Sequence, residues 1–214
     1  MAIPILVYGK SGSGKSRSLK EFGEDEITLI NVISKDMPFR KKFKYEIRTR
    51  SYETIAQALQ KMPTDIAVID DAGYLQTSEF MTGHSKPKNG SSTFDLFNKI
   101  GDDVWNMILF IKDKVSANKR VYMMMHELTN DYGETKVRTL GKLLDEKVCL
   151  EGMMTICLRC MTDGKRHYFK TQGGTSDIAK APEEMFENDE IPNDLKYVDD
   201  CIKDFYGFGG GQNG

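Results

Sequence analysis

The feature that most constrains this 214-residue chain is the stretch Ile5-Leu6-Val7-Tyr8-Gly9-Lys10-Ser11-Gly12-Ser13-Gly14-Lys15-Ser16, where a short apolar run feeds directly into a glycine-rich loop ending in lysine and serine. The apolar run predicts a buried strand, and the loop has the G-x-x-x-x-G-K-[ST] spacing that cradles phosphate when it joins a strand to a helix. Gly9, Gly12 and Gly14 let backbone amides close around a diphosphate with no Cβ in the way. Lys15 then reaches the β- and γ-phosphates, and Ser16 is placed to ligate Mg2+. Lys10, Ser11, Ser13 and Arg17 complete the residues expected to line a bound nucleotide. A helix from Ser16 to Glu21 is expected to direct its positive end at the anion. These residues predict an α/β P-loop NTPase that binds a nucleotide with Mg2+.

Asp65-Ile66-Ala67-Val68-Ile69-Asp70-Asp71 adds four apolar residues ending in two acids, the form of a central parallel strand that delivers a carboxylate to its C-terminal edge. Beside a phosphate loop, Asp70 is expected behind the Mg2+, directly or through water, and Asp71 is a candidate to polarise an attacking water. A further apolar strand, Val121-Tyr122-Met123-Met124-Met125, ends in His126-Glu127. His126 is a candidate sensor of the γ-phosphate, with a structural histidine as the alternative. Glu127 competes with Asp71 for the role of general base, and the sequence leaves that choice open.

The rest of the chain supplies the frame. Ile27 to Ile33 reads as a buried strand. The basic segment from Arg40 to Arg50 alternates in its second half, as a solvated edge strand where lysines discourage unwanted pairing or as a surface tracking a polynucleotide. Ser51 is expected to cap a helix running to about Met62 and burying Ile55, Ala58, Leu59 and Met62. Asp71 to Thr82 continues as loop and helix. Gly83 to Ser92 lacks any apolar anchor and is expected to form a mobile surface loop. Phe94, Phe97, Ile100, Val104, Met107, Ile108, Ile111 and Val115 mark a long amphipathic helix, with Trp105 packing on its flank. Thr129 to Arg138 is expected to be loop. Met153 to Cys160 and His167 to Thr171 form a hairpin with Asp163-Gly164 at its turn. A final helix from Asn193 or Asp194 buries Leu195, Val198, Ile202 and Phe205. One domain over residues 1–206 is expected, followed by a flexible glycine-rich tail over 207–214.

The formal net charge of −2 means that any nucleic-acid contact must come from a local basic surface rather than from the overall field. Cys157 and Cys160 have the spacing of half a zinc knuckle, but no second pair follows and, within a strand, they face opposite sides. Free thiols in a reducing compartment are expected. The first residues lack a basic segment followed by a long apolar run, and no stretch approaches the roughly 20 residues of a membrane span, so a cytoplasmic protein with no membrane partner is expected.

With the phosphate loop, Asp70-Asp71, His126-Glu127 and Leu140-Gly141-Lys142-Leu143-Leu144-Asp145 together, the chain resembles small phage-encoded ATPases built on a RecA-type core and associated with single-strand annealing and recombination. The similarity covers most of residues 3–206, including Glu184-Met185-Phe186, Asn193-Asp194-Leu195 and Tyr206. It implies a RecA-like three-layer fold with a central, mostly parallel sheet, ATP with Mg2+ as the bound cofactors, self-assembly into a homo-oligomer, and single-stranded DNA as the polymer partner. It also implies a positive residue acting on a neighbouring subunit's nucleotide, with Lys180 the first candidate and Lys170 and Arg159 the alternatives. Lys142 would belong to a DNA-facing segment. The compact chain is expected to lack a separate N-terminal polymerisation domain. Two further classes stay open: a small-molecule kinase, and a non-catalytic nucleotide-gated assembly or packaging factor.

Overall fold

The apolar runs collect into one sheet because each is too hydrophobic on both faces to sit anywhere but between two layers of helices. In the computed structural model, which describes residues 1–85 and 93–208, the strands are β1 (Ile3–Gly9), β2 (Ile27–Asn31), β3 (Tyr45–Arg48), β4 (Ile66–Asp70), β5 (Arg120–Thr129), β6 (Thr135–Val137), β7 (Ile156–Thr162), β8 (His167–Lys170) and β9 (Glu190–Pro192). The helices are α1 (Tyr52–Lys61), α2 (Gly73–Gly83), α3 (Thr93–Lys114) and α4 (Leu195–Tyr206). The part of the expected surface loop from Lys86 to Ser92, and the tail from Gly209 onward, lie outside the described residues.

Among the described residues the sheet runs in the order β3-β2-β4-β5-β1-β7-β8-β9, with β6 paired to β5. The pairings from β3 through to β7 are parallel, whereas β8, β9 and β6 each join antiparallel. A mixed α/β fold with a central, mostly parallel sheet is thus observed. One apolar core lies between the sheet and α1, α2 and α3; the other lies under α4 and the residues after the glycine-rich loop. Cys157 enters the first core and Cys160 the second, as period-2 alternation requires.

The order of the strands is what assembles the site. β5 lies between β1 and β4, with Gly9 opposite His126 and Ile69 opposite Met123, so the end of β5 emerges between the phosphate loop and the acidic pair. β2 lies on the other side of β4, with Asn31 opposite Asp70. The loop after β2 therefore also opens beside Asp71.

Several local expectations need correction. Ser16–Leu19 forms a single 3₁₀ turn in place of the helix expected through Glu21. Too few peptide units align there for a helix dipole to favour an anion. Thr129 to Arg138 is not loop throughout: β5 extends to Thr129 and turns back into β6, and the Thr129 and Thr135 hydroxyls hydrogen bond at 3.0 Å. Met153 lies in a separate 3₁₀ turn, Glu151–Met153, ahead of β7. Trp105 is 41% exposed and Phe205 44% exposed, so neither packs as expected, and Phe94 at the start of α3 is also exposed. The buried stripe of α3 therefore begins later than the apolar one, running through Ile100, Val104, Met107, Ile108 and Ile111. Ser51 caps α1 by accepting from the Thr54 amide, and Asp194 caps α4 by accepting from Lys196 and Tyr197 amides. Among the described residues no helix is long and apolar enough to cross a membrane.

Candidate phosphate-binding site

The loop between β1 and the 3₁₀ turn is shaped by its glycines and held from behind. Gly12 and Gly14 have φ of 79° and 109°, in the left-handed region that side chains disfavour. A Cβ on Gly9 would lie 2.3 Å from the Cys160 carbonyl, and one on Gly14 would lie 2.8 Å from His167 Nδ1. The Ser13 carbonyl accepts from His167 Nδ1 at 2.7 Å and from Cys160 Sγ at 3.2 Å, while Asn193 Nδ2 donates to Cys160 Sγ at 3.3 Å. Burial pushes the Cys160 thiol up to about 11. Cys160, His167 and Asn193 were not among the sequence candidates. Cys160 and His167 lie 147 and 154 residues from Ser13, and no local pattern joins them to it.

Lys15 is buried, and its ammonium donates to the carbonyls of Gly9 at 2.8 Å and Lys10 at 3.0 Å, with His126 Nδ1 3.4 Å away. Burial lowers its pKa. Ser16 Oγ reaches both oxygens of Asp70, at 3.0 and 3.1 Å. Asp70 is raised by burial first and by the adjacent charge of Asp71 second. Asp71 is 2% exposed and sits at a φ of 59°. Burial alone would raise its carboxyl, but His126 and Lys35 outweigh burial and hold it below its ordinary value. Its Oδ2 is ion-paired with Lys35, whereas Oδ1 has no hydrogen-bond partner and faces His126 Nε2 at 3.5 Å. Tyr74 meets the His126 ring edge-on, with centroids 5.7 Å apart.

These groups border a cavity of about 400 Å³ lined by Ser11, Gly12, Gly14, Lys15, Ser16 and Arg17 of the loop, with Lys35, Asp36, Pro38, Asp71, His126 and His167 opposite. Arg17 is steadied by Asn193 Oδ1 at 3.4 Å. Ser13 Oγ is buried with no hydrogen-bond partner, like Asp71 Oδ1. An unpaired Asp71 oxygen in a cavity that also carries Lys15, Arg17 and Lys35 fits a polyanionic ligand with its water and metal. Among the described residues no group of three or more His, Cys, Asp or Glu side chains is arranged to hold a metal alone. A Mg2+ at Ser16 and Asp70 would complete its shell with water and phosphate oxygens, which is how that ion prefers to bind.

Other predicted site residues lie elsewhere. Glu127 gives both oxygens to Arg159, at 2.9 and 3.2 Å. Arg159 also reaches Asp177 Oδ2 and Thr135 Oγ1, each at 3.2 Å, and Lys170 joins Asp177 at 2.8 Å. Lys180 is a backbone partner of Cys157, outside the cavity lining. Lys142 immediately precedes a single π-helical turn, Leu143–Lys147. Lys35 was missed because nothing near it in sequence signals a partner; its position follows from β2 lying beside β4. No protein-family model matches the chain, and no curated protein matches it.

Proposed function

We propose that this protein is a P-loop ATPase of RecA-like architecture that binds Mg-ATP in the cavity beside β1 and hydrolyses it. The observation that carries the proposal is the convergence of Lys15, the Ser16–Asp70 pair and the half-paired carboxylate of Asp71 on one cavity. The loop amides and Lys15 bind the phosphates, with Lys15 exchanging its carbonyl partners for phosphate oxygens. The metal, when bound, neutralises charge on the β- and γ-phosphate oxygens. Asp71 Oδ1 accepts a hydrogen from a water and orients it in line with the terminal phosphorus, while His126, adjacent to both Lys15 and Asp71, couples the two. Glu127 is spent on Arg159 and serves the frame of β5 and β7. Single-stranded DNA as the partner, a role in phage recombination or replication, self-assembly, and action of Lys180 in trans rest on the resemblance alone.

The test is ATP turnover by the purified protein with and without single-stranded DNA, at salt low enough to preserve phosphate contacts. Turnover that DNA stimulates and Lys15→Ala abolishes supports the proposal. Turnover indifferent to DNA removes the DNA partner, and equal turnover in Lys15→Ala removes the site.

A further inference from the structure

The cavity holds two lysines with different freedom. Lys15 is 6% exposed and fixed on the loop carbonyls. The side chain of Lys35 is 42% exposed and reaches in from the loop after β2 to Asp71. Its backbone is held, since the Lys35 carbonyl accepts from Asn31 Nδ2 at 2.7 Å, so only the four-carbon stem and ammonium are free to redirect. Ser34 and Asp71, the residue before Lys35 and the residue it pairs with, have φ of 58° and 59°, two of the four non-glycine residues with positive φ among the described residues. Such backbone is kept only where the surroundings impose it. Lys35 is the cation paired with the buried carboxylate of Asp71. Here that cation stands at the mouth of a cavity suited to an anion.

We propose that Lys35 binds the terminal phosphate of a nucleoside triphosphate and, without one, is the counter-ion of Asp71, so that triphosphate entry draws Lys35 away from Oδ2 and leaves both carboxylate oxygens to hold a water. The proposal rests on the nucleotide assignment of the cavity and deepens it. Lys15 serves the phosphates shared by di- and triphosphate. Lys35 responds to the group that only the triphosphate carries. A diphosphate leaves the Lys35–Asp71 pair closed, with Asp36 and Asp70 as the other acids near it.

The experiment compares binding of Mg-ADP and a non-hydrolysable Mg-ATP analogue by calorimetry, together with ATP turnover, in wild type, Lys35→Met, Lys35→Arg and Asp71→Asn. Lys35→Met is expected to weaken the analogue by roughly 10-fold or more, with ADP affinity within about 3-fold, and to lower kcat by roughly 100-fold. Lys35→Arg keeps the charge and recovers part of the analogue affinity. Asp71→Asn releases Lys35 from its counter-ion, so analogue binding tightens by about 3- to 10-fold while turnover falls. Equal loss of both nucleotides in Lys35→Met, wild-type kcat in that variant, or weaker analogue binding in Asp71→Asn overturns the role of Lys35. A wild-type protein that binds neither nucleotide overturns the cavity assignment as well, so the two failures are told apart. If Lys35→Met fails to fold, the opposite signs expected of Asp71→Asn still decide the matter.

Discussion

Asp71 and Asp199 are both buried carboxylates beside one sheet, and their surroundings differ. On α4, Asp199 Oδ1 accepts from Arg120 Nε at 2.8 Å and Tyr122 OH at 3.0 Å, and Oδ2 accepts from Arg120 Nη2 at 2.8 Å and is ion-paired with Lys203 Nζ at 3.1 Å. At the end of β4, Asp71 has Lys35 on one oxygen and no hydrogen-bond partner on the other. Arg120 begins β5 and His126 lies near its far end, so the two networks occupy opposite edges of the sheet, roughly 20 Å apart along one strand. Where every acceptor is satisfied, a buried charge ties α4 to the sheet. Where half the acceptors are empty beside a cavity, the charge is held ready for something that enters.

The comparison is broken or sharpened by mutation. The largest effect is expected from Asp199→Ala, which leaves Arg120 charged and buried and lowers stability by about 3–5 kcal/mol in denaturant unfolding. Replacing both partners, Arg120→Met with Asp199→Leu, recovers most of that loss, because no unpaired charge remains. An Asp71→Ala cost as large as that of Asp199→Ala would erase the distinction. Next, Lys15→Ala lowers ATP turnover by on the order of 10²- to 10³-fold without lowering the unfolding midpoint. A third test separates the two acids that the sequence left in competition. Asp71→Asn reduces turnover by roughly 100-fold. Glu127→Gln instead shows itself in stability, by about 1–3 kcal/mol, because Arg159 loses its charged acceptor; the reverse pattern transfers the base to Glu127.

The smallest expected effect concerns a carboxylate that is satisfied without being buried. Asp163, at the turn between β7 and β8, accepts from the Arg166 and Lys165 amides at 2.8 and 2.9 Å and from Arg166 Nε at 3.1 Å. The Arg166 amide first, then the Lys165 amide, hold its carboxyl at about 2. Because the folded value lies below the unfolded one, its contribution is complete above the ordinary carboxylate range and disappears as pH falls towards 2. The carboxyl resonance of Asp163 should titrate with a midpoint near that pH, and a midpoint in the ordinary carboxylate range would show that the turn does not hold it.

Much of this frame was legible because neighbouring residues decide it. The runs that became β1, β2 and β4 are apolar on both faces, Ser51 and Asp194 are capping residues at the right offset, and Asp163-Gly164 leaves Gly164 the φ of 87° that its turn needs. The helix expected after Ser16 failed for the opposite reason. Its short sequence carries no capping side chain, and the 3₁₀ turn that replaces it is set by Leu19 and Phe22 packing into the core under α4.

By itself the sequence determined the glycine-rich loop with Lys15 and Ser16, the acidic end of β4 and the apolar strands that carry them, since each is written in a handful of consecutive residues. Only the tertiary structure decided that β5 separates β1 from β4 and brings His126 between Lys15 and Asp71, that Arg159 takes up Glu127, that His167, Cys160 and Asn193 back the loop, and that Lys35 meets Asp71. Strand order has no local signature. It is chosen by how whole apolar faces pack against one another, and a charged side chain acquires its partner only after that choice is made.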